Sequence, residues 1–375
     1  MGDAEVVKRH VDVNSNEGWQ EVMNWMPVGW EQKMRDVGGF VRAREVKSPG
    51  DLLRITLAFG VLGRHLEGLG AWCEEKGIAS CSFVALWSRL ARMVPFLEWL
   101  VGALLQERVD LPRGGLVLAP LDATTFSLPG SKQRDWLVHL LWAAGELREV
   151  RVTRARGSGS GESLRHLVEL PFEAVVLGDR AYGTPPGIAH AAQRDRRFIV
   201  RFTWNNLPLY SSREAKERVV AQEALGSLRI GQVGEFPGWV RARGEPPVLV
   251  RIVSVPLSTS QAAAARKRSR RESRRKGHQP DPTTGFAAGF VTLAANVEVE
   301  EAPAATVADA YRWRWQVELE FKRLKSITGV RSLANWKEEM VRCYLLALLA
   351  VWLLTHKIVR RGAFFPWGYP LAGAG

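Results

Sequence analysis

Two short apolar runs, each carrying an acid at its end, constrain this chain most. LVLAPLDATTF (116–126) carries Asp122, and AVVLGDRAY (174–182) carries Asp179. Such runs are short for helices and do not alternate with polar residues, so they read as buried strands. Buried strands need cover, and the surrounding pattern supplies it. LVHLLWAA (137–144) and LREVRVT (147–153) read as a hairpin joined at Gly145-Glu146, then LRHLVEL reads as helical. A short helix near Gly187 to Arg194 leads into the strand RFIVRF, 197–202. Strands in succession, a helix and a further strand predict an α/β sheet of mixed strand direction.

The flanks have a different texture. Residues 16–107 read as four or five short helices, with Ser82 placed to cap a run whose apolar residues include Phe83, Leu86 and Leu90. From 203 to 295 Pro and Gly are frequent, and short strands such as VLVRIVSV alternate with polar stretches. Within that segment RKRSRRESRRK (266–276) holds eight basic residues and one acid. GSGSGES (157–163) lacks the Gly-Lys-Ser/Thr ending of a phosphate loop and reads as a connection. At 375 residues the chain has room for two or three domains. Its net charge of +13 exceeds what folding needs and points to a polyanion, with nucleic acid ahead of an anionic membrane surface.

Other classes fit less well. Cys73, Cys81 and Cys343 follow no C-x-x-C spacing, which argues against a disulfide framework or zinc cluster and fits a reducing, cytoplasmic setting. MGDAEVVKRHVDV has no apolar core of a signal peptide, and its Met-Gly start has no second membrane signal beside it. CYLLALLAVWLL (343–354) is too short to span a bilayer and reads as a buried helix. The last dozen residues break the helical pattern, so a truncated or frameshifted tail is one reading of the C-terminus.

TVADAYRWRWQVELEFKRLKSI reads as the start of a long helix, with Thr306 and Asp309 resembling a capping box. At about 100° per residue, Tyr311, Arg314, Glu318 and Lys325 share an arc of roughly 60°. Glu320 points elsewhere, and Trp313, Val317 and Leu324 lie toward sides that could bury the helix. A salt-bridged surface helix would explain the Arg314–Glu318 pair at a few tenths of a kcal/mol. Lone acids at strand ends are commonly turn residues or caps. Taken together, Asp122, Asp179 and Glu318 can converge on hard divalent cations, Mg²⁺ or Mn²⁺. Two such ions can clamp the attacking and leaving oxygens of a phosphodiester displacement. Arg314, Lys325 and Tyr311 would then hold the phosphate beside them.

The spacing Tyr311-x2-Arg314-x3-Glu318-x6-Lys325 resembles the Tyr-Arg-Glu-Lys signature of the insertion-sequence-four family of DDE transposases. LDATTF and GDRAYG are similar to that family's two Asp blocks, and DLLRITLAFG resembles its N-terminal helical region. The resemblance implies an α/β, ribonuclease H-like catalytic core interrupted by a β-rich insertion and preceded by an all-α N-terminal domain. Its boundaries here would be a helical DNA-binding domain at 1–108, a core at 109–202 and 296–360, and an insertion with the basic segment at 203–295. It implies Asp122, Asp179 and Glu318 as the catalytic, metal-holding triad for two Mg²⁺ (or Mn²⁺) ions. Tyr311, Arg314 and Lys325 would bind phosphates near the element's terminus, and Trp315 would stack on a flipped base. A core Trp is the plainer account of Trp315.

Arg266, Lys267, Arg268, Arg270 and Arg271 are expected to contact DNA, the plainer alternative being a solvated, partly disordered loop. The expected activity is cut-and-paste transposition: hydrolysis at the element ends, then 3′-hydroxyl attack on target DNA. Its partners would be double-stranded DNA, as terminal inverted repeats and as target, and a second copy in a synaptic homodimer, with no membrane. A nuclease of the same fold without strand transfer, an inactive or truncated DNA-binding remnant and a basic membrane-surface protein remain alternatives.

Overall fold

The computed structural model describes residues 13–62, 66–105, 116–127, 136–143, 146–154, 163–166, 174–275, 277, 282–315, 318–319, 321–322, 324, 333 and 337–361. The chain divides into two units. One comprises 1–108, 125–136 and 320–375, the other 109–124 and 137–319.

Most described elements of the first unit are helices, joined in that unit by residues 125–126, the end of one strand, and 136, the start of another. It contains α1 (Asn16–Asn24), α2 (Trp30–Asp36), α3 (Pro49–Leu62), α4 (Leu66–Glu75), α5 (Phe83–Arg92), α6 (Val94–Leu105) and α12 (Glu338–Arg361). Local chemistry sets several starts. Ser82 Oγ accepts the Ala85 N–H at 3.3 Å, as its sequence position predicts. Ser48 and Asp51 form a reciprocal box, each side chain accepting the other's backbone N–H at 3.0 Å. Arg54 is buried and donates to Val13 O and Asn16 Oδ1, both at 2.9 Å, which ties the start of α1 to α3.

Helix α12 packs against α3, α5 and α6. It is longer than the apolar run inside it and is apolar enough to cross a membrane, yet 78% of that span is buried within the protein. It therefore behaves as a core helix. Residues 338–361 belong with the N-terminal helices, whereas sequence texture grouped them with the sheet. The apolar faces of α3 and α6 supply the reason: they need a long apolar partner, and α12 is one.

Among the described residues the second unit is built on a nine-stranded sheet. Its strands are β1 (Val117–Phe126), β2 (Trp136–Ala143), β3 (Glu146–Arg154), β4 (Ala174–Gly178), β5 (Arg197–Arg201), β6 (Leu209–Tyr210), β7 (Gly234–Val240), β8 (Val248–Pro256) and β9 (Phe290–Ala295). Their order is β3-β2-β1-β4-β5-β9-β8-β7-β6. β1, β4 and β5 run parallel, while β9, β8, β7 and β6 continue antiparallel from β5. The strands of 203–295 are thus hydrogen-bonded into the same sheet as those before them.

Both faces of the central strands are covered. Val176, Phe198 and Val200 join one apolar cluster with Ile188 of α7 (Pro185–Ala192) and Leu225 of α8 (Ala221–Leu225). Val175, Leu177 and Ile199 join another with Val307 and Ala310 of α11 (Ala304–Arg312). Residues one apart point to opposite faces, which is why these strands read as unbroken apolar runs.

Three local expectations are corrected. Residues 266–275 of the basic run belong to α9 (Thr259–Arg275), a 17-residue helix rather than the loop of the plainer alternative, and residue 276 lies outside the described residues. The helix expected from Thr306 starts at Ala304, with Pro303 at its cap and no side-chain cap bond, so the Thr306–Asp309 box is not formed. Of LRHLVEL, residues 164–166 form a short 3₁₀ turn, and 167–173 lie outside the described residues. The connection at 157–162 and the tail after 361 also lie outside them.

Candidate active site

Register places the two aspartates side by side. Leu121 pairs with Gly178 across β1 and β4, and Gly178 pairs with Val200 across β4 and β5. One residue beyond these pairs stand Asp122 inside β1, Asp179 immediately after β4 closes, and Arg201 as the last residue of β5, on strands spaced about 4.8 Å apart. The row lies at the C-terminal end of β4 and β5, where parallel sheets commonly present ligand-binding groups.

Glycines shape the turn after Asp179. A Cβ on Gly178 would lie 2.8 Å from Tyr182 Cβ, and one on Gly183 would lie 2.5 Å from the Arg201 carbonyl oxygen. Only residues without a Cβ let the chain fold back this tightly against β5. Asp179 Oδ1 accepts the Ala181 N–H at 2.8 Å, and its carbonyl accepts the Tyr182 N–H at 3.1 Å. Asp179 is therefore a turn residue as well as a site candidate. Asp122 Oδ1 accepts the adjacent Ala123 N–H at 2.8 Å.

Glu318 is linked to this row through Arg314. The Arg314 Nη1 lies 3.5 Å from Asp122 Oδ2, and its Nη2 donates to Glu318 Oε1. The Arg314 guanidinium also lies 5.9 Å from the Tyr311 ring centre. α11 closes at Arg312, and the Arg314 N–H bonds back to Tyr311 O at 3.1 Å, a tightened turn before helical backbone resumes at Trp315. The expected single straight helix is thus interrupted, yet Tyr311, Arg314 and Glu318 still converge.

Electrostatics bind the cluster further. Burial pushes the Tyr311 phenol above its usual range and the nearby Asp179 adds to this, against the pull of Arg314 and Arg201. Burial lowers Arg201, with Arg180 and Arg314 adding to the effect and Tyr311 and Asp179 opposing it. For Arg314 burial is the largest influence and acts downward. Tyr311, the bond to Glu318 and the charges of Glu318 and Asp122 together outweigh it and leave the group raised.

Arg201 was not singled out from sequence. The available signal was its position: it ends the third apolar strand run as Asp122 and Asp179 follow the first two. Trp313, expected to help bury the helix, is 54% exposed, and Trp315 is 53% exposed, which removes the core reading of Trp315. Lys325 lies outside the described residues.

The basic residues do not all share one environment. Lys267, Arg268, Arg270 and Arg271 of α9 are exposed, and Arg266 is half-buried. Arg266 and Arg270 line a groove of about 330 Å³ with Ser269, Ser273 and Phe286, facing α10 (Pro282–Ala287). Among the described residues no group of three or more His, Cys, Asp or Glu side chains is gathered to hold a metal ion. The donor set of Asp122, Asp179 and Glu318 nevertheless suits a hard divalent cation, and a cationic guanidinium already bridges two of the three.

The chain is similar to known proteins over most of its length. The family model of the transposase DDE domain matches residues 114–354. The InsL protein of insertion sequence element IS186A from Escherichia coli K12 is 28% identical over 363 residues, covering 94% of this chain and 96% of its own length. The transposase of insertion sequence element IS421 from Escherichia coli is 28% identical over 364 residues, with the same coverage. The transposase of insertion sequence element IS231E from Bacillus thuringiensis subsp. finitimus is 24% identical over 357 residues, covering 80% and 73%.

Proposed function

The chain belongs to the transposase DDE domain family, and from that premise we propose that it is a cut-and-paste DNA transposase. It would cut the strand at the ends of its element and join the freed 3′-hydroxyl to target DNA. One observation carries the reading: Asp122 and Asp179 each directly follow the paired residues Leu121 and Gly178 of adjacent strands, and Arg314 ties Glu318 to Asp122. The order β3-β2-β1-β4-β5 supports the ribonuclease H-like core that this chemistry uses.

Asp122, Asp179 and Glu318 would hold two divalent ions, Mg²⁺ or Mn²⁺. When bound, these supply activation of the attacking oxygen and charge neutralisation at the leaving one. Arg314 and Arg201 would accept the phosphate's negative charge, and Tyr311 would donate its hydroxyl hydrogen to a phosphate oxygen. Trp313 and Trp315 offer exposed aromatic faces on which unpaired bases can stack. Exposed cations on α9 would hold duplex phosphates. A synaptic pair of ends calls for two copies of the chain.

The test uses DNA carrying the element's own terminal repeats. Asp122→Asn, Asp179→Asn and Glu318→Gln are each expected to lower Mg²⁺-dependent cleavage by about 10²- to 10⁴-fold, the range for loss of a positioned catalytic group. DNA binding should persist in all three. Full cleavage by any one variant removes that residue from the site. Cleavage without joining to a target plasmid identifies a nuclease instead.

A further inference from the structure

Arg314 stands where a divalent ion would have to approach. Its guanidinium fork has one nitrogen 3.5 Å from Asp122 Oδ2 and the other donating to Glu318 Oε1. Its side chain is 18% exposed and that of Asp122 16%, so water screens this pair weakly. An ion entering beside Arg314 meets a like charge and competes for carboxylate oxygens already engaged. A guanidinium does not deprotonate in proteins, so it leaves only by moving. Phosphate, though tetrahedral, offers it two oxygens that can accept the same bidentate pair of N–H bonds as a carboxylate. The tightened turn at 313–314 and the 46% exposure of the Glu318 side chain leave one side of the pair open to such a partner.

We propose that Arg314 is a displaceable cation that holds Asp122 and Glu318 closed to divalent metal until a DNA phosphate draws it away. This rests on the transposase reading of the three acids and adds its regulation: metal loading and DNA capture become one coupled event. A chain without DNA would then carry little bound metal and would not hydrolyse phosphodiesters at random. Coupling is reciprocal, so metal must strengthen DNA binding by the same factor by which DNA strengthens metal binding. The Tyr311 ring centre lies 5.9 Å from the Arg314 guanidinium, and its phenol could donate to an incoming phosphate.

The experiment measures Mn²⁺ affinity of the full chain by the electron paramagnetic resonance signal of free Mn²⁺, with circular dichroism confirming the fold. Without DNA, Arg314→Gln is expected to bind Mn²⁺ more tightly than the unaltered protein by roughly 5- to 150-fold, the usual span of a coupling between sites. Adding a short duplex oligonucleotide at low salt should tighten Mn²⁺ binding to the unaltered protein by a comparable factor and leave Arg314→Gln nearly unchanged. The duplex measurement on the unaltered protein needs no variant, so a misfolded substitution does not protect the proposal. Equal Mn²⁺ affinities in both proteins, or no response to duplex, overturn the coupling. A different result isolates the underlying reading: if Asp122→Asn, combined with Arg314→Gln, leaves Mn²⁺ binding intact, the acids are not the metal site at all.

Discussion

Tyr311 places a phenol in a half-buried position between two guanidiniums and a carboxylate, and its titration follows from that setting. Burial raises its pKa above the unfolded value of about 10. A raised folded value means that the neutral phenol stabilises the fold below the unfolded pKa. The contribution is lost as pH rises through the folded pKa. Urea midpoints measured at pH 8 and above pH 10 should therefore fall more for the unaltered protein than for Tyr311→Phe. An equal fall in both would show that the phenol is solvated. At this scale the legible residues were those whose chain position forces their chemistry. Asp179 follows the last residue of β4 and turns the chain there, whereas Asp122, expected at a strand end, lies inside β1, which runs on to Phe126. Arg201 ends the apolar run of β5, but a terminal arginine is also an ordinary solubilising residue, so sequence alone does not separate the cases. Trp313 was misread because an angle around a helix does not reveal which side the rest of the fold covers.

Helices and strands obey a different rule, in which neighbours decide. The strand runs were legible because burial on both faces leaves no room for polar residues, and the helices of 16–107 because their apolar spacing and Ser82 cap are local signals. α9 was not read as a helix, because a run of like charge is usually solvated. Yet Arg and Ala are good helix formers, and Ala262, Ala265, Arg266, Ser269 and Ser273 recur at helical spacing as the partly or fully buried side. The turn between β4 and α7 shows the same dependence on neighbours. A methyl group on Gly183 would fall 2.5 Å from the Arg201 carbonyl and 2.8 Å from Phe202 Cβ, and both lie in or beside a buried strand that cannot yield cheaply. Gly183→Ala should cost about 1–3 kcal/mol as an overpacking change. A lowered melting temperature by calorimetry is the expected readout. Cleavage should fall more than stability alone explains, because Asp179 and Arg201 sit on the two elements being forced apart. An unchanged melting temperature would show that the turn relaxes without strain.

For the whole molecule the excess of positive charge needs a location, and the sheet supplies one. β9 runs antiparallel to β5 with Leu293 opposite Arg201, and Phe290, opposite Pro256 of β8, lies three residues further toward the same edge. At about 3.3 Å per residue that edge is roughly 10 Å beyond the row of Asp122, Asp179 and Arg201. α9 begins at Thr259, three residues after β8 ends at that edge, so its first turn starts on the side of the sheet where β4 and β5 end. Its 17 residues extend about 25 Å, or roughly seven base pairs of duplex at 3.4 Å each. DNA that reaches the acids with its phosphates along α9 would release counterions, and the dependence of affinity on salt counts them. Each phosphate contact contributes about 0.9 to the slope of log affinity against log salt concentration. Replacing Lys267, Arg268, Arg270 and Arg271 by Gln should lower that slope by up to roughly 3.6 if each residue meets one phosphate. These residues are exposed, so melting temperature should stay nearly constant while binding weakens. Asp122→Asn, in contrast, should lower cleavage by about 10²- to 10⁴-fold and leave the slope almost unchanged, because it removes no cation. An unaltered slope in the α9 variant would place the duplex on another face, and the +13 charge of the chain would then have to act through the cations of the helical unit.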